Sequence, residues 1–272
     1  MTDIAIRAQF DRKSFLRDFN DPHLPVVYSD FARDWPAVRK WNPEYLESVC
    51  GSAVVPINDS RDTIRLGDFV SLLKEGAKQL PYLRNIWLLQ YLPELSGDIR
   101  VPLIAEPNWL SHPALRPHIP EQWNPWFEFF FSGPATRFPY VHADAHGTHA
   151  WSVQVFGSKR FWLWPPSVVP PENRNPAAVQ DLSGVFPESG ALSVVLDPGD
   201  LLFIPSDWWH LAESESASIT LSGNFVNHSN WMRFLESYFL SNPEGSLETL
   251  IKLSFLVPSD FPESDENVTE SG

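Results

Sequence analysis

The chain has 272 residues, of which 43% are hydrophobic and 20% charged, and its 20 basic and 34 acidic residues give a net charge of −14. This composition excludes a disordered chain, which would have few apolar residues and many charges, and the acidic balance argues against extended nucleic-acid binding. No apolar stretch approaches the roughly 18 residues of a membrane span, the amino terminus lacks the apolar region of a secretory signal, and the single Cys50 can form no intrachain disulfide. We therefore expect a cytoplasmic protein without a membrane partner.

The first part of the chain carries short helix and strand patterns in alternation. Helical spacing occurs at residues 11–19, 43–49 and 66–74, and short strands are predicted at 25–28 and 54–57. Asn42 and Pro43 are typical of the start of the second helix. The apolar run at residues 85–92 fits either a buried strand or a helix segment.

From residue 126 the pattern changes to short strands separated by turns. The strand patterns are WFEFFFSG, HAWSVQVF, RFWLWPP, ALSVVLDPGD, LLFIP and SITLSGNFV. Several short strands at this spacing predict a β-sandwich or barrel. Gly157 and Ser158 are predicted to form a two-residue hairpin turn between the second and third patterns.

The fold is therefore expected to be mainly β with flanking helices, divided into four segments. An N-terminal mixed α/β region at residues 1–125 packs on a β core at residues 126–228. A C-terminal helical region follows at residues 229–257, and an acidic tail at residues 258–272 is predicted to be disordered.

A candidate metal site is formed by His142 and Asp144, with His210 much later in the chain. Residues i and i+2 of an extended segment point to the same face, so the first two side chains converge. Two histidines and one carboxylate leave three metal positions open, which is the ligand set of non-haem Fe(II) oxygenases. Zinc hydrolases use similar sets, and by itself the HxD pattern is more often a surface histidine beside a solvated aspartate.

Two further polar residues fit such a site. Lys159 begins the strand after Gly157-Ser158 and could hold the distal carboxylate of an acid chelated on the metal, although an exposed hairpin lysine is the ordinary alternative. Asn224 lies on the strand after His210 and could orient the metal-bound end of the same acid, or be a satisfied polar group in a strand. His146 and His149 are expected in supporting roles rather than as ligands, and of Trp208 and Trp209 one should pack in the core.

The segments HADAHGTHAWSVQVFGSKRFWLWPPS, DPGDLLFIPSDWWH and SITLSGNF resemble the JmjC, or cupin-like, 2-oxoglutarate oxygenases. The likeness is greatest to the small protein-hydroxylase branch, which includes the asparaginyl hydroxylase that acts on hypoxia-inducible factor. The resemblance covers roughly residues 20–228 and implies a double-stranded β-helix, or jelly-roll, core.

The resemblance also implies the chemistry. Fe(II), 2-oxoglutarate and O2 would take part, with His142, Asp144 and His210 as iron ligands that also carry the catalysis. Lys159 would bind the far carboxylate of 2-oxoglutarate, with Asn224 near the other carboxylate and Thr148 in the same pocket. A protein or peptide side chain is the expected substrate, and a homodimer through the C-terminal helices is the expected assembly.

Three positions depart from the pattern of that branch. Pro139 replaces a Thr or Ser, Thr148 replaces an Asn, and Trp87 is assigned to the place of an early-strand Tyr. We expect Thr136, Arg137 or Tyr140 to compensate in the 2-oxoglutarate pocket.

Other functions stay open on the sequence. The departures motivate a non-catalytic cupin-like protein that binds a metal or ligand, and hydroxylation of a small molecule or tRNA base is a further alternative. A zinc- or manganese-dependent cupin isomerase or hydrolase is disfavoured, because such cupins usually carry HxH, Glu and a later His.

Overall fold

The computed structural model describes residues 4–57, 61–168, 190–241 and 247–256. The helices are α1 (Arg12–Phe15), α2 (Pro36–Lys40), α3 (Pro43–Cys50), α4 (Leu66–Lys74), α5 (Leu88–Tyr91), α6 (Trp231–Ser241) and α7 (Leu247–Ser254). The strands are β1 (Ala5–Arg7), β2 (Val26–Tyr28), β3 (Val54–Pro56), β4 (Thr63–Arg65), β5 (Leu83–Trp87), β6 (Glu128–Ser132), β7 (Thr136–Arg137), β8 (His149–Phe156), β9 (Lys159–Trp164), β10 (Leu192–Leu196), β11 (Leu201–Ile204), β12 (Trp209–Ser214) and β13 (Ser218–Phe225). None of the helices in these ranges combines the length and the apolar character that a membrane crossing requires. The predicted acidic tail lies outside the described residues.

The strands β6 to β13 are shared equally between two sheets. The larger sheet has the order β1-β2-β11-β8-β13-β6-β5, and the smaller one has the order β10-β9-β12-β7. Residues of both sheets line one internal cavity. This arrangement confirms the predicted jelly-roll core with flanking helices.

The N-terminal region continues the larger sheet. Strand β2 pairs antiparallel with β11, β1 pairs parallel with β2, and β5 pairs antiparallel with β6. Trp35, Trp41 and Phe69 from this region are buried in the same hydrophobic cluster as Trp151 and Phe203 of the core strands. The N-terminal residues therefore share both sheet and core with the strands that carry the candidate site.

Short-range signals locate the N-terminal elements. The Asn42 side chain accepts a 2.8 Å hydrogen bond from the backbone N–H of Tyr45 at the start of α3. The ambiguous run at residues 85–92 contains both of its predicted structures, because β5 ends at Trp87 and α5 begins at Leu88. The backbone N–H of Leu88 still donates to the carbonyl of Phe127, at 3.0 Å, so the helix starts where the sheet ladder ends.

Alternation along β13 places polar side chains in the cavity wall. On β13, Ile219 and Leu221 are fully buried in the hydrophobic core, whereas Thr220, Ser222 and Asn224 line the cavity. Successive side chains of a strand point to opposite faces. The sequence pattern of this strand therefore gives the barrel an apolar outer face and a hydrogen-bonding inner face.

The predicted hairpin at Gly157-Ser158 is wrong. Strand β8 pairs with β11 and β13, and β9 pairs with β10 and β12, so the chain passes from one sheet to the other at these two residues. Gly157 has a φ of 67°, and a Cβ there would lie 1.9 Å from the carbonyl oxygen of Ala217. The glycine is required by this close approach of the β12–β13 connection, rather than by a hairpin.

The C-terminal helices α6 and α7 pack on each other and on a second hydrophobic cluster. Trp231 and Phe234 of α6 are buried there against Trp109. The same helix contacts the turn at residues 145–147, directly after Asp144. Dimerisation through these helices stays a prediction.

Candidate active site

The candidate site lies in a cavity of ≈ 580 Å³ lined by strands of both sheets. This volume is typical of a small-molecule site. Five of the six predicted site residues line it: His142, Asp144, Lys159, His210 and Asn224.

The backbone places the two candidate histidine ligands opposite each other. The N–H of His142 donates to the carbonyl of His210 at 3.1 Å, and the N–H of His210 donates to the carbonyl of His142 at 2.7 Å. The ring centroids are 4.2 Å apart. Asp144 follows two positions after His142, and the candidate ligand atoms of all three side chains lie within 4.8 Å of one another.

The surroundings of both imidazoles suit metal binding. Nδ1 of His210 lies 3.2 Å from the carbonyl oxygen of Trp208, which can only accept, so Nδ1 is the donor and Nε2 is the ring nitrogen left for a metal. His142 stacks on Phe138 with centroids 4.6 Å apart, and its buried Nδ1 has no hydrogen bond partner among the described residues. Burial, with a smaller effect from His210, lowers the pKa of His142 well below its usual value. Neutral imidazole is the form that binds a metal.

A buried ammonium group lies in the wall of the same cavity. Lys159 is 2% exposed, and its Nζ donates a 3.0 Å hydrogen bond to the Tyr82 hydroxyl. Desolvation lowers the pKa of Lys159 to about 7. No carboxylate of the described residues forms an ion pair with it. A buried, uncompensated cation is costly, so this position favours an anionic ligand.

The tyrosine that contacts Lys159 is Tyr82, which the sequence pattern did not indicate. The assignment of the early-strand tyrosine position to Trp87 is wrong, because Trp87 packs against Trp126, with centroids 5.4 Å apart, and does not line the cavity. A register shift between Leu83 and Ile86, with Asn85 at a φ of 54°, interrupts the alternation of β5. Counting positions along this strand therefore could not identify the residue that faces Lys159.

The position of the Asn224 side chain is fixed by a hydrogen bond to a residue outside the cavity wall. Its Nδ2 donates to Oγ1 of Thr148 at 2.7 Å, and that hydroxyl donates to the carbonyl of Ala145 at 2.9 Å. Thr148 is 1% exposed and does not line the cavity. Instead of reaching the pocket as predicted, Thr148 links Asn224 to the turn after Asp144.

Of the residues expected to compensate for Pro139, one lines the cavity and the others do not. Tyr140 lines the cavity and accepts a 2.9 Å hydrogen bond from Nη1 of Arg84. Thr136 and Arg137 lie on β7 and are not part of the cavity wall. Pro139 is exposed and does not line the cavity either. Of the three alternatives, Tyr140 is the one that lies in the cavity wall, and its compensating role stays a prediction.

The remaining histidines near the triad have the expected supporting roles. His149 is fully buried, with Nδ1 accepting from the backbone N–H of Ser206 at 2.9 Å and Nε2 lying 2.8 Å from the Ser229 hydroxyl. His146 lines the cavity beside Trp123 and Tyr238, with ring centroids 5.7 and 5.0 Å away.

The two tryptophans before His210 separate as predicted. Trp208 is 6% exposed, and its indole N–H donates to the carbonyl of His23 at 2.8 Å. Trp209 lines the cavity. Adjacent residues near the start of β12 therefore serve the core and the site respectively.

Comparison with known proteins agrees with this geometry. The profile of the cupin-like domain matches residues 12–230, a span that includes every site residue described above. The chain belongs to the cupin-like domain family. This assignment fits the jelly-roll core and the position of the cavity inside it.

Three curated proteins are among those to which the chain is similar. The chain is 26% identical over 250 residues to the arginine-specific demethylase JMJ22 of Arabidopsis thaliana, covering 85% of this chain and 47% of the relative. It is 25% identical over 277 residues to the 2-oxoglutarate and iron-dependent oxygenase JMJD4 of Homo sapiens, covering 84% and 62%. It is 24% identical over 251 residues to the bifunctional arginine demethylase and lysyl-hydroxylase psr-1 of Caenorhabditis elegans, covering 80% and 59%. The cupin-like chain thus spans about half the length of these relatives.

Proposed function

We propose that this cupin-like protein is an Fe(II)- and 2-oxoglutarate-dependent oxygenase that hydroxylates a protein or peptide side chain, with succinate and CO2 as co-products. The observation that carries the proposal is the position of Lys159. Its ammonium group is buried without a carboxylate partner in the described part of the chain, within the cavity that also contains His142, Asp144 and His210. A metal site alone fits several reactions, whereas a metal site with a buried cation fits a chelating acid that has a second carboxylate.

The residues present fit a bound Fe(II) ion. Two imidazoles and one carboxylate form the donor set. The unpartnered Nδ1 of His142 and the hydrogen bond from Nδ1 of His210 to a backbone carbonyl are both consistent with metal binding. His142, Asp144 and His210 would hold the ion. When bound, iron would allow dioxygen to oxidise both 2-oxoglutarate, which loses CO2, and the substrate, which is hydroxylated.

The protein would bind the co-substrate with two donors from one side of the cavity. Lys159 donates to the Tyr82 oxygen, and burial raises the pKa of Tyr82, so that hydroxyl keeps a proton for a ligand carboxylate. Hydrogen bonds between charged groups are strong where water is excluded. Asn224, fixed by Thr148, would face the other end of the co-substrate.

The substrate class is supported by the relatives and by the size of the cavity. The relatives named above include a lysyl-hydroxylase and arginine demethylases, which act on amino-acid side chains. The cavity of ≈ 580 Å³ has room beside 2-oxoglutarate for a second group, and Trp126, Tyr140 and Trp209 give its wall an aromatic character.

The test is succinate formation from 2-oxoglutarate in the presence of Fe(II) and ascorbate, without added substrate. Asp144→Ala should lower the iron affinity and the succinate yield together, because it removes one of three ligands. Asp68→Ala, which changes an exposed aspartate on α4, is the matched control and should retain both. Normal succinate formation by Asp144→Ala would refute the assignment of the metal site. If the parent protein binds iron but not 2-oxoglutarate, the non-catalytic cupin alternative is favoured.

A further inference from the structure

Helix α6 places an ion pair in the wall of the candidate active site. Nε of Arg233 donates to Oδ2 of Asp207 at 2.9 Å, and Nη2 donates to Oδ1 at 3.0 Å. Both side chains line the cavity and are about one-third exposed. Two parallel hydrogen bonds of this kind fix the orientation of both partners as well as their separation.

The pair connects two turns next to the candidate ligands: the turn after Asp144 and the turn before His210. Asp207 lies three positions before His210, and Gly147 lies three positions after Asp144. The side chain of Arg233 covers Gly147 so closely that a Cβ at residue 147 would lie 2.6 Å from Cγ of Arg233. One side chain of α6 therefore touches both turns.

A second residue at the start of α6 supports the same turn. Nδ2 of Asn230 donates to the carbonyl of Gly147 at 3.0 Å, and the carbonyl of Asn230 accepts the N–H of Phe234 within the helix. The position of the turn after Asp144 thus depends on where α6 lies.

Both turns contain residues in the left-handed backbone region. His146, Gly147 and Asp207 have φ values of 56°, 63° and 64°. Glycine adopts this region freely, whereas histidine and aspartate adopt it at a modest energetic cost. For Asp207, the bidentate contact with Arg233 offsets that cost.

We propose that Arg233 and Asp207 are positioning residues that set the spacing between the ligands Asp144 and His210. The inference rests on the metal site of the proposed function. The backbone hydrogen bonds between His142 and His210 would still hold the two histidines. Without the ion pair, the turn after Asp144 is held less firmly against the turn before His210, so the Asp144 carboxylate is less well placed relative to the histidines. Metal affinity and ligand geometry should change, even though neither residue binds the ion.

The test is a titration of the metal-free full chain with Co(II), whose visible absorption reports the number and geometry of its ligands. Asp207→Asn keeps a residue that tolerates positive φ, and Arg233→Gln removes the cation. Each should weaken Co(II) binding about tenfold and alter the spectrum. The double variant should bind Co(II) no more weakly than either single variant does, because the two single variants and the double variant all remove the same ion pair. The control is Arg160→Gln, which breaks the half-exposed pair with Glu215 outside the cavity and should leave the dissociation constant within about twofold.

Unchanged Co(II) affinity and spectrum in both single variants would overturn the inference, as would additive losses in the double variant. Thermal unfolding of each metal-free variant checks its fold. If Arg233→Gln does not fold, Arg233→Lys, which keeps the charge but not the forked geometry, serves with Asp207→Asn instead. A parent Co(II) spectrum that does not respond to 2-oxoglutarate contradicts the proposed co-substrate, but it leaves this inference intact.

Discussion

Replacing Lys159 with methionine should stabilise the ligand-free protein and at the same time remove its 2-oxoglutarate site. Methionine fills a similar volume without a charge. The replacement loses the 3.0 Å hydrogen bond to the Tyr82 hydroxyl. It also loses the contacts of the ammonium group with the Tyr82 and Phe130 rings, whose centroids lie 5.4 and 5.6 Å from Nζ. A lysine present for binding should behave in this way, since functional groups are often held at a cost in stability.

The magnitude follows from the pKa of Lys159. Burial lowers it from an ordinary value of 10.5 to about 7, so the unfolded chain binds more protons than the folded protein between these two pH values. The stability of the parent protein should therefore rise with pH across this window. A difference of about 3.5 between the two pKa values corresponds to roughly 5 kcal/mol of destabilisation below pH 7. We subtract about 1 kcal/mol for the lost hydrogen bond and allow for the lost ring contacts and for relaxation around a buried charge. We then expect a net gain of roughly 2–4 kcal/mol.

The assay is urea unfolding of the metal-free parent and Lys159→Met at about pH 7 and about pH 9, with 2-oxoglutarate binding measured in parallel. The variant should be more stable at the lower pH, and its advantage should shrink by roughly 2–3 kcal/mol at the higher pH. It should not bind 2-oxoglutarate. A variant less stable than the parent, or an advantage that does not depend on pH, would refute the view of Lys159 as an uncompensated buried cation.

Two further predictions concern the same side of the cavity. The affinity for 2-oxoglutarate should fall as pH rises above about 7, by up to tenfold per pH unit, because the anion requires the protonated form of Lys159. Titration calorimetry with Mn(II) measures this, and Lys159→Arg, which stays charged, should remove the slope; a slope that persists belongs to another group. Tyr82→Phe should raise the KM for 2-oxoglutarate about tenfold with a smaller effect on kcat, since one donor to a carboxylate is lost. The control is Tyr91→Phe, outside the cavity, and equal kinetics for the two variants would contradict the role of Tyr82.

The sequence predicted what depends on near neighbours in the chain. Short strand patterns separated by turns predicted β8 and β13, and Asn42 with Pro43 predicted the start of α3. The HxD spacing predicted two side chains on one face, and the structure brings His142, Asp144 and His210 together as candidate ligands. These features could be predicted because backbone periodicity and helix capping are set within a few residues.

Features that depend on pairing between distant segments were not predictable in this way. The residues around Gly157 have the local pattern of a hairpin, yet β8 and β9 join different sheets because each finds its partners elsewhere in the chain. Strand β12 was not predicted, although it carries His210.

The sequence by itself therefore determined the fold class, the family resemblance and the candidate ligands, because each depends on residue type and short spacing. The tertiary structure alone decided which groups support those ligands. Lys159 meets Tyr82 across 77 positions of the chain, and Arg233 reaches Asp207 across 26. The physical reason is that such contacts require the irregular β5 and the docking of α6, and packing between separate elements fixes both.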